Sequence, residues 1–123
     1  MTWYAASVII GMRRVDNLGP MLGSENIFLI EAPSSKEALD KAREYGNTEA
    51  SLDDEFTLDG QPAKRVFVGI RKLINISNPF PLKIDSDAPT SGTEITYSLF
   101  EVSNEQDLEK LAQGQDIVLR YIE

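Results

Sequence analysis

The sequence predicts an α+β fold with two layers, a largely antiparallel β-sheet and two short helices packed on one face, in the order β-β-α-β-β-β-α-β. Residues 63–76 form a long strand-like run with apolar residues on both alternating sets, which is typical of a central strand. Residues 29–46 and 99–114 share one plan: an apolar strand end, a serine, a leucine-centred helix and a terminal glycine. Two strand–helix units of this kind favour helices lying on one face of an antiparallel sheet.

Alternation predicts the first two strands. Residues 3–14 place one apolar set on one face, and the other set is apolar but small, with Ala5, Ser7 and Gly11. Small side chains on one face predict that something packs close to it. Residues 16–20 have turn chemistry, and residues 26–32 form a second strand that is apolar on both faces until Glu31.

The middle of the chain predicts a helix and a hairpin. Ser34 and Glu37 have the spacing of a capping box, so we expect a helix over residues 35–45 that ends at Gly46. Residues 55–70 then form a hairpin around the turn dipeptide at 59–60. Gly69 interrupts the long strand and predicts a bulge or a close approach by another backbone.

The last third of the chain begins with residues 77–93, which lack periodicity and predict an irregular surface loop. We expect a strand over 94–102, a short helix with a capping box begun by Ser103, and a closing strand over 116–122. At 123 residues, the chain is predicted to form a single domain over residues 1–123.

Composition excludes several chemistries. The chain has neither cysteine nor histidine, which removes disulfides, thiolate nucleophiles, serine–histidine triads and ordinary catalytic zinc sites. The net charge of −8 disfavours nucleic acids and anionic membranes. The apolar run at residues 3–12 has no preceding basic residue and is too short to span a bilayer, so we expect a cytoplasmic protein.

Carboxylate clusters are the first candidates for a site. Residues 53–55 and the pair Asp85 and Asp87 could hold a divalent cation, but neither has the alternating oxygens and glycine of a calcium loop. A solvated loop explains both better, and we predict no metal and no cofactor. Glu31 and Glu101 occupy equivalent places in the two strand–helix units, so they could form an acid–base pair or, more commonly, ion pairs with Arg or Lys.

Aromatic and basic residues give the remaining candidates. Trp3, Tyr4, Phe67 and Tyr97 could line a small-ligand pocket, or could be core residues, as strand aromatics usually are. Basic residues flank Phe67 at positions 64–65 and 71–72, but the run lacks the glycine and second aromatic of an RNA-recognition strand. We expect these charges to pair with acidic neighbours, and we predict no nucleic-acid partner.

Several of these residues together resemble a known family. The opening residues 3–6, the Glu31-Ala32 pair followed by a helix ending in residues 44–46, and the run at 67–70 resemble the small bacterial proteins classed as domain of unknown function 4288. The resemblance covers residues 3–76 and continues more loosely to Tyr97 and Phe100. It implies a bacterial cytosolic protein without an assigned activity, and it assigns no functional residue.

The sequence is compatible with two classes of function. The predicted sheet has more apolar surface than two short helices cover, with Trp3, Ile27 and Leu29 on the uncovered set, which favours a non-catalytic protein that binds a second copy of itself or another protein. The alternative is a small ligand-binding domain or enzyme that uses carboxylate, Tyr or Lys groups at the open sheet face. Whether a small molecule binds is left open, and no membrane partner is expected.

Overall fold

The computed structural model describes residues 1–51, 56–78 and 88–122. Along the chain these residues form β1 (Thr2–Arg14), β2 (Leu22–Ala32), α1 (Ser35–Ser51), β3 (Phe56–Leu58), β4 (Gln61–Ile76), β5 (Phe100–Glu101), α2 (Glu105–Ala112) and β6 (Arg120–Tyr121). The α+β class and the order of elements are therefore confirmed.

Four strands form an antiparallel sheet in the order β2-β1-β4-β3. β1 and β2 pair over eleven consecutive positions, from Thr2 opposite Ala32 to Met12 opposite Leu22, without a register shift. β4 is an inner strand, as predicted, but β3 pairs only with its first three residues. Along the remainder of β4, no described strand occupies the outer edge. β1 is consequently the strand with long partners on both sides.

α1 packs on one face of this sheet, where small helix residues allow close contact. Ala38, Ala42 and Gly46 are spaced four residues apart, so they form one stripe along the helix, and all three are buried. This stripe lies on the strand residues Tyr4, Ala6, Ile30 and Ala32, with Phe28, Ile70 and Leu73 packed at the margin. Ser34 Oγ accepts a hydrogen bond from the Glu37 amide, which confirms the predicted cap.

Gly46 has a different role from the one predicted. The helix was expected to end there, but α1 continues to Ser51 and Gly46 is buried within it. A Cβ at this position would lie 2.5 Å from the ring of Phe67 and 3.0 Å from Val8 Cγ1. The glycine thus makes room for an aromatic ring between helix and sheet.

The turns and bulges agree with the sequence. Asp59 and Gly60 have φ values of 52° and 75°, as a two-residue hairpin turn requires, so the hairpin is confirmed, although its strands pair only from residue 56 to residue 63. The β1–β4 register shifts twice near Gly69 and leaves Arg71 and Val68 without partners, so the strand is bulged on either side of the paired glycine. No atom lies within 4 Å of a Cβ built on Gly69, so the glycine does not admit another backbone there.

The C-terminal part of the chain differs most from the prediction. The strands expected over 94–102 and 116–122 are reduced to β5 and β6, which pair only through Phe100 with Tyr121 and Glu101 with Arg120. Asn104, one residue after the predicted Ser103, caps α2 by accepting a hydrogen bond from the Asp107 amide at 2.8 Å. α2 has no buried residue and packs against none of the described strands of the four-stranded sheet, so only α1 covers that sheet as expected. Residues 97–122 are called the C-terminal unit below.

Residues 77–78 and 88–93 lie in the predicted surface loop and contain no helix or strand. The Asn78 side chain joins the two ends, since its amide donates to Ala88 O at 2.8 Å and its oxygen accepts from Thr93 Oγ1 at 2.7 Å. The carboxylate candidates at 53–55, 85 and 87 lie outside the described residues.

Candidate functional site: the second sheet face and its edges

The structure does not bring the four predicted ligand-binding aromatics together. Tyr4 is buried in the core under α1, and Phe67 packs against Gly46 on the same face. Trp3 is half-buried on the opposite face, because successive strand residues alternate. Tyr97 is exposed in the C-terminal unit, where its ring lies 5.5 Å from the Lys72 ammonium. The packing of Tyr4 and Phe67 is that of core residues.

The face of the sheet away from α1, called the second face below, has an unusual centre. Ala5 and Ser7 are each 1% exposed there, although α1 lies on the other side. In a regular strand, Arg71 and Lys72 would point to opposite faces. Here Ser7 pairs with Lys72 and Val8 pairs with Ile70, so Arg71 has no partner on β1 and forms a bulge. As a result, the side chains of both Arg71 and Lys72 make their contacts on the second face.

These two cations connect the second face to the C-terminal unit. Lys72 Nζ donates to the carbonyl oxygen of Tyr97 and lies 3.4 Å from Ser98 Oγ. The Arg71 guanidinium lies 4.2 Å from the ring centre of Tyr121, and it also forms an ion pair with Glu25 of β2 at 3.1 Å. Arg71 therefore links the C-terminal unit, β4 and β2. Arg71 pairs with an acidic residue as predicted, but Glu25 lies on β2, across β1, and not on an adjoining strand.

Ser7 is the buried polar residue in this region. Its Oγ has no hydrogen-bond partner among the described residues. A buried hydroxyl without a partner destabilises the folded state by its desolvation free energy. The hydroxyl of Ser7 therefore adds no hydrogen bond within the described residues, and close packing of another element on this face stays a prediction.

The β2 part of the second face is open. Ile27 and Leu29 are 42% and 49% exposed, and they are successive side chains on the same face of β2. On the other face of β2, the Phe28 ring stacks on Tyr45 of α1 at 5.7 Å, and Tyr45 itself is 43% exposed. Apolar surface thus borders β2 on both sides of the sheet.

The two long edges of the sheet differ in how they are protected. Beyond the part that β3 covers, β4 carries Lys64 and Lys72 and is bulged twice, and these are devices that hinder pairing with another strand. β2 has no proline, lysine or bulge, and its central residues 26–30 are uncharged. Among the described residues, a side chain covers this edge at its C-terminal end, where Lys41 Nζ donates to Glu31 O at 2.7 Å. Within residues 1–51, 56–78 and 88–122, the middle of β2 is therefore the less protected of the two edges.

Two small cavities lie away from this region. One, of about 200 Å³, is lined by residues of the C-terminal unit that include Glu101, Val118 and Arg120. The other, of about 180 Å³, lies between the β1–β2 and β3–β4 connections and is lined by Arg14, Pro20, Leu22, Leu58 and Asp59. Both are smaller than typical small-molecule sites of about 300–1,000 Å³. None of the four predicted aromatics lines either cavity.

The charged groups of the described residues mostly have structural partners. Glu101 accepts from Arg120 at 3.0 Å, and Glu31 and Glu101 lie in different sheets, so the geometry shows the ion pair and not an acid–base pair. Arg14 donates to Asp16 at 2.5 Å and the Leu18 amide donates to the same carboxylate, and these hydrogen bonds lower the pKa of Asp16.

No group of three or more metal-ligating side chains forms within residues 1–51, 56–78 and 88–122. Neither described helix is long and apolar enough to cross a membrane.

Comparison with protein families decides what the chain is related to. Residues 3–96 match the model of Domain of unknown function (DUF4288). The chain belongs to the DUF4288 family. The family model covers the four-stranded sheet and α1, extends to residue 96, and ends immediately before the C-terminal unit. Neither the curated proteins nor the solved structures give a match. The candidate surface of this DUF4288 protein therefore rests on its own geometry.

Sequence reasoning identified Trp3, Ile27 and Leu29 on the uncovered face but missed the Arg71–Glu25 pair and Tyr121. One signal was present in the sequence. Two adjacent cations in a strand beside Gly69 indicate a bulge, because otherwise one of them would point into the core under α1. The partner of Arg71 could not be predicted, since it depends on which strands are neighbours.

Proposed function

We propose that this protein has a non-catalytic role that depends on protein–protein association, and that its first partner is a second copy of the chain. The observation that carries the proposal is β2, an eleven-residue edge strand with an unprotected middle and exposed Ile27 and Leu29. An edge strand of this kind pairs readily with another strand. A two-fold axis satisfies two identical edges at once.

The β2 sequence is self-complementary in one antiparallel register. With Phe28 opposite Phe28 of the partner copy, Ile27 lies opposite Leu29 of the partner copy on the second face, and the reverse pair forms symmetrically. On the α1 face, the two Phe28–Tyr45 stacks become neighbours. The register thus covers apolar side chains on both faces of the joined sheet.

Charge opposes this register only at its ends. Glu25 would lie opposite Glu31 of the partner copy, and like charges directly across a ladder are destabilising. The ion pair between Glu25 and Arg71 reduces this repulsion. Because exposed charges are screened by salt, association should strengthen as the ionic strength rises.

The Leu29→Lys substitution is expected to abolish the dimer. It places a cation in the middle of the paired edge, where two copies would bring two such cations together. Sedimentation velocity over a concentration series should show a monomer–dimer equilibrium for the original chain and a monomer for the variant. The matched control is Val118→Lys, because Val118 is 87% exposed in the C-terminal unit and lies outside the proposed interface.

The same measurement can contradict the proposal. A chain that remains monomeric at several hundred micromolar in high salt has no such dimer. Species that grow beyond the dimer with concentration would indicate head-to-tail pairing of β2 with β4, which makes an open array. A dimer that survives Leu29→Lys and dissociates in Val118→Lys would place the interface in the C-terminal unit.

A further inference from the structure

We infer that one end of the second sheet face binds an acidic, extended segment of another protein through Arg13 and Lys64. These two residues lie directly opposite each other in the ladder between β1 and β4, and both are exposed. Residues directly opposite each other in an antiparallel pair project to the same face, so the two cations lie side by side. Like charges in this arrangement are destabilising. The pair thus weakens the fold, and its presence needs another reason.

Neither cation is neutralised within the described part of the chain. Arg14, the next residue, forms an ion pair with Asp16. Arg13 and Lys64 form no ion pair and no side-chain hydrogen bond with another described residue. The acidic neighbour predicted for Lys64 is therefore not found among these residues. Although the chain has 20 acidic and 12 basic residues, this cation pair is left for a carboxylate from outside.

Protection of a sheet edge accounts for only half of the pair. Lysine on an edge strand hinders pairing with another chain, and Lys64 fits this role because it lies just beyond the residues of β4 that β3 covers. Arg13 does not fit it. β1 is paired with β2 as far as Met12 and with β4 as far as Arg14, so no free edge of useful length remains on β1. An arginine here favours recognition of an anionic group, for which its planar guanidinium offers several donors.

An apolar surface adjoins the two cations on the same face. A Cβ built on Gly11, two residues before Arg13, would touch the methyl group of Met21 and lie 3.4 Å from Val68 Cγ2. Val66, which is opposite Gly11 in the ladder, lies 3.8 Å from the same point. Met21 and Val68 are 55% and 61% exposed. Because side chains two residues apart in a strand share a face, a ligand bound by the cations would also contact these aliphatic groups.

The shape and charge of this surface favour a polypeptide as the ligand. Small-molecule sites are concave, and neither Arg13 nor Lys64 lines either of the two cavities. Nucleic acids gain affinity from contacts with many phosphates, which a pair of cations on a chain of net charge −8 does not supply. A segment in which carboxylates stand next to aliphatic residues matches both the cation pair and the apolar surface beside it.

Binding is tested by the fluorescence anisotropy of a labelled short peptide of alternating glutamate and leucine. In the control peptide, glutamine replaces glutamate. We expect only the acidic peptide to bind saturably at low ionic strength, and its affinity should fall as salt is added, because exposed charges are screened. This salt dependence is opposite to the one expected for association along β2. Failure of this inference is therefore distinguishable from failure of the proposed dimer.

Reversal of the charge at Lys64 separates binding from folding. Lys64→Glu should lower the affinity for the acidic peptide by about fivefold or more, because it places a carboxylate beside Arg13. The same change converts a like-charge pair into an opposite-charge pair, so the folded state should be at least as stable. Thermal denaturation of the variant checks this, and a loss of binding without a loss of stability belongs to the surface itself.

Lys36→Glu is the matched control for this variant. Lys36 is exposed in the first turn of α1, which begins at the opposite end of the sheet from Arg13, and a carboxylate is favourable at that position of a helix. The substitution makes the same change in net charge as Lys64→Glu. Because the site is remote, the affinity for the acidic peptide should change by less than about twofold.

Four results would overturn the inference. Two of them are the absence of saturable binding at low ionic strength and an equal loss of affinity in Lys36→Glu and Lys64→Glu. The third is tighter binding of a single-stranded oligonucleotide of equal charge, which would make this a nucleic-acid surface. The fourth is self-association of the unmodified chain that disappears both with salt and in Lys64→Glu, which would place a second copy of the chain on this surface.

Discussion

Replacement of Ile30 by alanine should lower the free energy of unfolding by about 2–5 kcal/mol, the usual range for a large-to-small change in a core. Ile30 is 2% exposed and lies among the alanines of α1, where the helix is held close to the sheet by small residues. Since those small neighbours cannot extend into the space, the cavity should collapse poorly, and the result should fall in the upper part of the range. Chemical denaturation monitored by circular dichroism measures it.

Ile122→Ala is the matched control for this prediction. It removes the same atoms from a side chain that is half exposed in the C-terminal unit. We expect the free energy of global unfolding to change by less than about 0.5 kcal/mol. Similar losses for the two variants would mean that the core under α1 is not the main source of stability.

Gly46→Val should be the most destabilising glycine substitution, with a loss above about 3 kcal/mol. A Cβ already meets the Phe67 ring at 2.5 Å, and the two further methyl groups of valine must displace that ring or the helix. Overpacking by one or two methylene groups alone costs about 1–3 kcal/mol. Urea denaturation, with the slope compared between variants, should report this loss.

Gly69→Val is the control, because the same atoms enter open space. No atom lies within 4 Å of its Cβ, and a glycine inside a strand is unfavourable relative to a residue with a side chain. We expect no loss, or a small gain, in stability. A Gly46→Val variant as stable as the original chain would show that Phe67 is free to move, and the close packing of α1 on the sheet would then not be a requirement of the fold.

Local rules in the sequence were sufficient for the parts of the fold that depend on neighbouring residues. The alternation of residues 3–14, the cap at Ser34 and the turn at 59–60 each specify their own conformation, and the structure has all three. The helix was wrongly predicted to end at Gly46, because a glycine after an apolar helix pattern can either end the helix or allow another element to pack closely against it. Only the position of Phe67 on a distant strand distinguishes the two.

The C-terminal strands show a second limit of the same kind. The alternating apolar residues at 94–102 indicate a segment able to cover a surface, but not which edge it would join. In the structure, only residues 100 and 101 of that range form a ladder, and they pair with β6 instead of the four-stranded sheet. The candidate surface was predictable only in part. The shared face of Ile27 and Leu29 follows from the alternation of residues along a strand, whereas the contacts of Arg71 depend on which strands are neighbours.

The central claim is that two copies pair along β2 with Ile27 opposite Leu29 of the partner copy. Disulfide formation in a mixture of Ile27→Cys and Leu29→Cys chains tests it directly, because residues opposite each other in a ladder lie within disulfide range. The account predicts that the mixed disulfide exceeds either homodisulfide, and that Val118→Cys, exposed elsewhere, forms far less. Mixed disulfide at no more than the Val118→Cys level, at a concentration where the chain is dimeric, would contradict it.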